Sequence, residues 1–160
     1  CQSDKAILKA LEKAGARIRR SENRIEVSRS AMKSFEFDAT DSPDLFPPLA
    51  ALAAYCEGTS RIMGASRLLH KESNRADALI SEFGKMGIKI WVEEDLMLIT
   101  GGRVTGASVA SHNDHRIAMA AAVAALGAEG TVHIKDSHCV AKSYPQFFED
   151  LRKAGAVVHE

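Results

Sequence analysis

Neither sign of charge is in excess in this 160-residue chain, where 21 lysines and arginines balance 21 aspartates and glutamates. That balance argues against a general nucleic-acid or membrane-surface role. The three cysteines (Cys1, Cys56, Cys139) form no CxxC pair and are odd in number, a pattern suited to a reducing compartment, so a cytoplasmic protein is expected. No apolar run approaches the ~20 residues that span a bilayer. A secretory signal and an initiator Met are both lacking, and the chain opens on what reads as a helix start, Gln2-Ser3-Asp4-Lys5. It therefore reads as a piece of a longer protein. The length suits one domain over residues 1–160 with a sizeable core.

What is present is a repeat. Gly15, Gly87 and Gly155 each close a helical pattern whose apolar positions fall at the same distances before the glycine. They are Ile7, Leu8, Leu11 and Ala14, then Leu79, Ile80, Phe83 and Met86, then Phe147, Phe148, Leu151 and Ala154. Such a one-sided stripe closed by glycine predicts helices ending in a left-handed residue. Lys13, Lys85 and Lys153 stand where they favour the helix dipole. Strand-like runs follow at 16–20, 88–92 and 156–159, and the first two copies add second strands at 24–27 and 96–99. A second kind of segment also recurs. Asp44 and Asp114 open apolar helices at 45–56 and 116–126, and Gly58-Thr59 and Gly130-Thr131 lead into strands. The unit is helix–strand–helix–strand–strand, of order seventy residues, which predicts an α/β domain with internal pseudo-symmetry.

Charged residues gather at the predicted helix entrances. Lys71-Glu72-Ser73-Asn74-Arg75 reads as a helix start, with Lys71 and Arg75 on one side and Glu72 beside them. It is either a solvated helix start or a grip for a phosphate or carboxylate, which would relieve the like-charge repulsion. Arg67 is a further cation or a surface residue. Asp44 is either a plain N-cap or a carboxylate held ionised to accept a hydroxyl proton. His112, Asp114 and His115 match no strong zinc signature, and no metal site is expected. Asp114 fits better as a cap, with His115 and Arg116 in the first turn. An arginine there opposes the dipole and so needs a reason. Lys142-Ser143-Tyr144-Pro145 reads as another helix start, and Lys142 follows its Gly-Thr pair at nearly the distance of Lys71. Cys139 reads as a small core residue.

The motifs Asp44-Leu-Phe-Pro, Lys71-Glu-Ser-Asn-Arg75, Asn113-Asp-His-Arg116 and Cys139-Val-Ala-Lys142-Ser-Tyr-Pro145 resemble, in order and over essentially the whole chain, the C-terminal domain of the 5-enolpyruvylshikimate-3-phosphate synthase family. The resemblance implies repeated βαβαββ units with pseudo-threefold symmetry around buried helices. It also implies an N-terminal domain absent here and a truncated first unit. The implied reaction moves the enolpyruvyl group of phosphoenolpyruvate to the 5-hydroxyl of shikimate 3-phosphate, releasing phosphate, with no cofactor and no metal. Carried over, Asp44 takes the hydroxyl proton, Glu72 exchanges a proton with the methylene carbon, and Lys71 sits near the shikimate hydroxyl. Arg75, Arg116 and Lys142 bind phosphoenolpyruvate, with His115 adjoining. Asn74 departs from the usual Asp, which should alter local pairing more than reaction type, and Arg67 stands where the family places Glu or Asn. The alternatives are a UDP-N-acetylglucosamine enolpyruvyl transferase and a non-catalytic anion-binding module. The 160 residues alone are expected to be inactive.

Overall fold

The computed structural model describes residues 3–28, 30–69 and 73–159. Its helices are α1 (Ile7–Lys13), α2 (Phe46–Ala53), α3 (Arg75–Lys85), α4 (His115–Ala125) and α5 (Phe147–Lys153). Its strands are β1 (Arg17–Ser21), β2 (Arg24–Ser28), β3 (Glu36–Asp38), β4 (Thr59–Met63), β5 (Lys89–Glu93), β6 (Leu96–Thr100), β7 (Ser108–Ala110) and β8 (His133–Lys135). Short 3-10 helices cover Pro43–Leu45, Ala65–Leu68 and Ser137–Lys142.

The three glycine stops close alike. Gly15, Gly87 and Gly155 have φ of 97°, 85° and 102°. The N–H of each following residue, Ala16, Ile88 and Ala156, donates back to Leu11, Phe83 and Leu151 at 2.9, 3.0 and 3.1 Å. This is the Schellman closure, which satisfies carbonyls that a helix end would leave orphaned. Loop bonds repeat as well: Lys33 N–H to Ala14 O and Glu57 N–H to Met32 O recur as Thr105 N–H to Met86 O and Glu129 N–H to Val104 O.

The repeat unit is longer by one strand than the sequence pattern gave. β3 and β7 precede α2 and α4 and pair in parallel with β4 and β8. The complete copy is therefore β3–α2–β4–α3–β5–β6, the βαβαββ order of the resemblance. Each leading strand is three residues long, too short to show alternation. In the complete copy, β4 joins β6 and β6 joins β5, both antiparallel, giving the sheet order β3-β4-β6-β5. The β5–β6 hairpin turns at Glu94-Asp95, with Glu93 opposite Leu96. β1 and β2 form their own hairpin. The expected strand at 156–159 does not form; among the described residues nothing pairs with it, and a lone extended segment has no ladder to hold it.

α2 and α4 pack together at the centre. α2 buries residues nearly all round (Phe46, Leu49, Ala50, Ala51 and Ala53), and Pro47 lies in its first turn, where a missing N–H costs no helical bond. α4 buries Ile117 and a run of alanines, whose small side chains admit close neighbours. The Tyr55 hydroxyl donates to the Ala124 carbonyl, tying the end of α2 to α4. Gly101 passes so close to this end of α2 that a Cβ would lie 2.0 Å from the Cys56 carbonyl oxygen. Cys139 is 1% exposed, a core residue as expected. This packing brings the N-termini of α3 and α4 and the approach to α2 to one place.

Candidate active site

Arg75, the first residue of α3, is 2% exposed and joins these elements. Its Nε donates to Asp114 Oδ2 at 2.6 Å, its Nη2 to Asp114 Oδ1 at 3.4 Å, and its Nη1 to Asp44 Oδ1 at 2.5 Å. Arg116 approaches Asp44 from α4, with Nη1 3.3 Å from the backbone oxygen and Nη2 3.4 Å from Oδ2. Asp44 thus lies between two guanidiniums, which answers the dipole objection to an arginine in the first turn of α4.

Asp114 is 0% exposed. It caps α4 as expected, accepting the Arg116 N–H at 3.0 Å, and also accepts the Ser73 hydroxyl at 3.1 Å. Burial pushes its carboxyl up, but Arg75, Arg116 N–H and Ser73 outweigh burial and hold it below its ordinary value. Burial likewise works against the Arg75 charge, and Asp114 and Asp44 more than offset it. Removing one partner from such a buried pair costs on the order of 3–5 kcal/mol.

Asp44 is not the counterpart of Asp114 that the repeat suggested. Ser42 takes the N-cap position before the 3-10 helix at Pro43–Leu45, and Asp44 lies within that first turn without capping it. Its carboxylate reaches Arg75 and Arg116 at the entrances of α3 and α4. His115 is buried at the start of α4 beside Asp114.

Lys142 also differs from its expected setting. It ends the 3-10 helix Ser137–Lys142 rather than opening a helix, because α5 begins only at Phe147. Its exposed ammonium donates to Asn113 O at 2.9 Å and Asn113 Oδ1 at 3.0 Å. The Asn113 backbone is left-handed, as is that of His112, with φ of 57° and 52°. Outside glycine such a conformation costs about 1–3 kcal/mol and persists where its surroundings enforce it.

Lys71 and Glu72 lie outside the described residues. α3 begins at Arg75. Its cap is Asn74, whose Oδ1 accepts the Asp77 N–H at 3.4 Å and whose Nδ2 donates to Asp77 Oδ2 at 2.6 Å. An aspartate there would meet the Asp77 carboxylate with no proton to give. Arg67 is exposed in the last turn of the 3-10 helix Ala65–Leu68. Among the described residues no group of His, Cys, Asp and Glu could hold a metal, and no helix is long and apolar enough to cross a membrane.

Sequence reasoning missed Ser73, the charge-pairing half of Asp114, and Glu82. The last had a signal: it lies on the face of α3 that holds Arg75 and Leu79, where a charged residue needs a partner.

Residues 1–151 match the EPSP synthase (3-phosphoshikimate 1-carboxyvinyltransferase) family. A 3-phosphoshikimate 1-carboxyvinyltransferase from Thermococcus kodakarensis is 47% identical over 152 residues, covering 95% of this chain and 38% of the relative. One from Clostridium acetobutylicum is 45% identical over 160 residues, covering 99% of this chain and 37% of the relative. Among solved structures, an EPSP synthase from Acinetobacter baumannii superposes with a TM-score of 0.85 at 30% identity, over 94% of this chain and 38% of that one. The enolpyruvyl transferase NikO from Streptomyces tendae, at 23% identity and a TM-score of 0.75 over 97% of this chain and 36% of that one, shares the fold. The chain thus spans less than two fifths of the length of the relatives it matches. With its βαβαββ units and its match over nearly all of its length, the chain belongs to the EPSP synthase family.

Proposed function

We propose that the intact protein carrying this chain transfers the enolpyruvyl group of phosphoenolpyruvate to the 5-hydroxyl of shikimate 3-phosphate and releases phosphate, working in the cytoplasm. In this reading residues 1–160 form one domain and one wall of the site, and an N-terminal domain supplies the other wall. The observation that carries it is the meeting of Asp44 with Arg75 and Arg116 at the entrances of α2, α3 and α4. A carboxylate able to accept a hydroxyl proton stands there beside cations able to hold an anionic partner.

The hydroxyl oxygen attacks C2 of phosphoenolpyruvate while the methylene carbon takes a proton, giving a tetrahedral intermediate. Loss of a methyl proton and of phosphate then restores the double bond. Asp44 is the group for the hydroxyl proton and Glu72 for the carbon proton, with Lys71 near the hydroxyl. Arg116 and Lys142, the more exposed cations, face the anionic groups; His115 adjoins them, and Arg75 holds the carboxylates in place. Stabilising charge as it develops in the intermediate is where such fixed cations contribute most.

Phosphate release measured on the intact protein tests this. Glu72→Gln and Lys142→Ala should each lower turnover by ~100-fold or more, the usual scale for acid–base or electrostatic groups. Near-normal rates in both would overturn the assignment.

A further inference from the structure

We infer that Glu82 is a positioning residue for the anion-binding wall, fixing the 110–113 loop so that Asn113 meets Lys142 and Asp114 meets Arg75. Glu82 lies two turns along α3 from Arg75 and is 1% exposed. Donors from α3 itself and from the 110–113 loop converge on it. Lys85 Nζ reaches its two oxygens at 2.8 and 2.7 Å, the Ala110 N–H reaches Oε2 at 2.8 Å, and His112 Nε2 lies 2.8 Å from Oε1. The Ser81 hydroxyl adds a contact at 3.2 Å. A carboxylate has about four lone-pair positions, so these partners use its full capacity.

The i,i+3 lysine would suffice to keep a glutamate on this helix; it does not account for the other two donors. Ala110 and His112 bracket Ser111, which is 0% exposed and pinned from the opposite side. The Ser111 N–H donates to Lys135 O and its hydroxyl to Asp136 O, each at 3.1 Å. Ser111 in turn accepts the Asn113 N–H on Oγ at 3.1 Å and the Asp114 N–H on its carbonyl at 3.0 Å. The loop is thus clamped between α3 and the end of β8. Its two left-handed residues come next, and with the His112 ring held, Asn113 turns both oxygens to Lys142 and Asp114 starts α4. One carboxylate on α3 therefore registers α3, α4 and the Lys142 segment against one another.

The kinetic part of the test rests on the proposed function; the structural part does not. In the intact protein, Glu82→Gln keeps the shape but loses an acceptor oxygen, and His112→Ala removes the exposed half of the clamp. Both should speed amide hydrogen exchange at Ala110, Asn113 and Asp114 while leaving the β1–β2 hairpin unchanged. Both should also raise KM for phosphoenolpyruvate about 10-fold, more than they lower kcat, as expected when binding groups are misplaced. Ile99→Val, a buried change in β6, should lower Tm and leave KM within about 2-fold. Folded variants with wild-type exchange at the three amides would overturn the inference, as would a KM in Ile99→Val that rises with theirs. If the unmodified protein does not turn over phosphoenolpyruvate, the proposed function fails, and the exchange measurement alone then decides the role of Glu82.

Discussion

A guanidinium as enclosed as that of Arg75 is sustained by the carboxylates around it, and the same balance holds in reverse for Glu82. Burial pushes the Glu82 carboxyl up, but Lys85, His112 and the Ala110 N–H together bring it down to about 2, from 4.5. A carboxylate depressed by folding adds stability above its unfolded value and loses it as pH falls through its folded one. The contribution, on the order of 3 kcal/mol, should therefore be complete above pH 4.5 and fade toward pH 2. Denaturant unfolding of the wild type and Glu82→Gln across that window should give a stability gap that narrows with acid; parallel profiles would contradict the assignment. At this scale the sequence was legible where charges marked helix entrances. Asp44, Arg75 and Arg116 do meet, and Asp114 does cap. The choice of partners was hidden, because whether Arg75 grips a ligand or two carboxylates depends on side chains 31 and 39 residues away.

At the scale of elements, the helix ends were the most readable feature, since a left-handed glycine after a one-sided stripe is a local matter. What escaped was non-local: β3 and β7 exist through parallel pairing with β4 and β8, and three residues carry no period. The run at 156–159 has strand composition but no strand pairs with it among the described residues. Gly101 is a further case, chosen by the close passage of the end of β6 against α2. Gly101→Ala should destabilise by about 1–3 kcal/mol, the usual scale for overpacking, with a Tm loss measurable by calorimetry. Unchanged stability would mean that the end of α2 can move aside.

At the scale of the molecule, the repeat explains why separate helix entrances carry one site. Successive βαβαββ units stack α2 against α4, and this sets Asp44, Arg75 and Arg116 within one cluster, with Lys142 joined through Asn113. The sequence motifs, being local to each entrance, marked where these residues stand along the chain. They could not show the Glu82 clamp, which exists only once α3 and the loop after β7 are side by side. We propose that this wall works in an enolpyruvyl transferase completed by a second domain. Phosphate release from phosphoenolpyruvate and shikimate 3-phosphate, measured side by side for the intact protein and for residues 1–160 alone, tests it most directly. Turnover by the intact protein and none by the 160 residues is the predicted result; turnover by the 160 residues alone, or none by the intact protein, would contradict it.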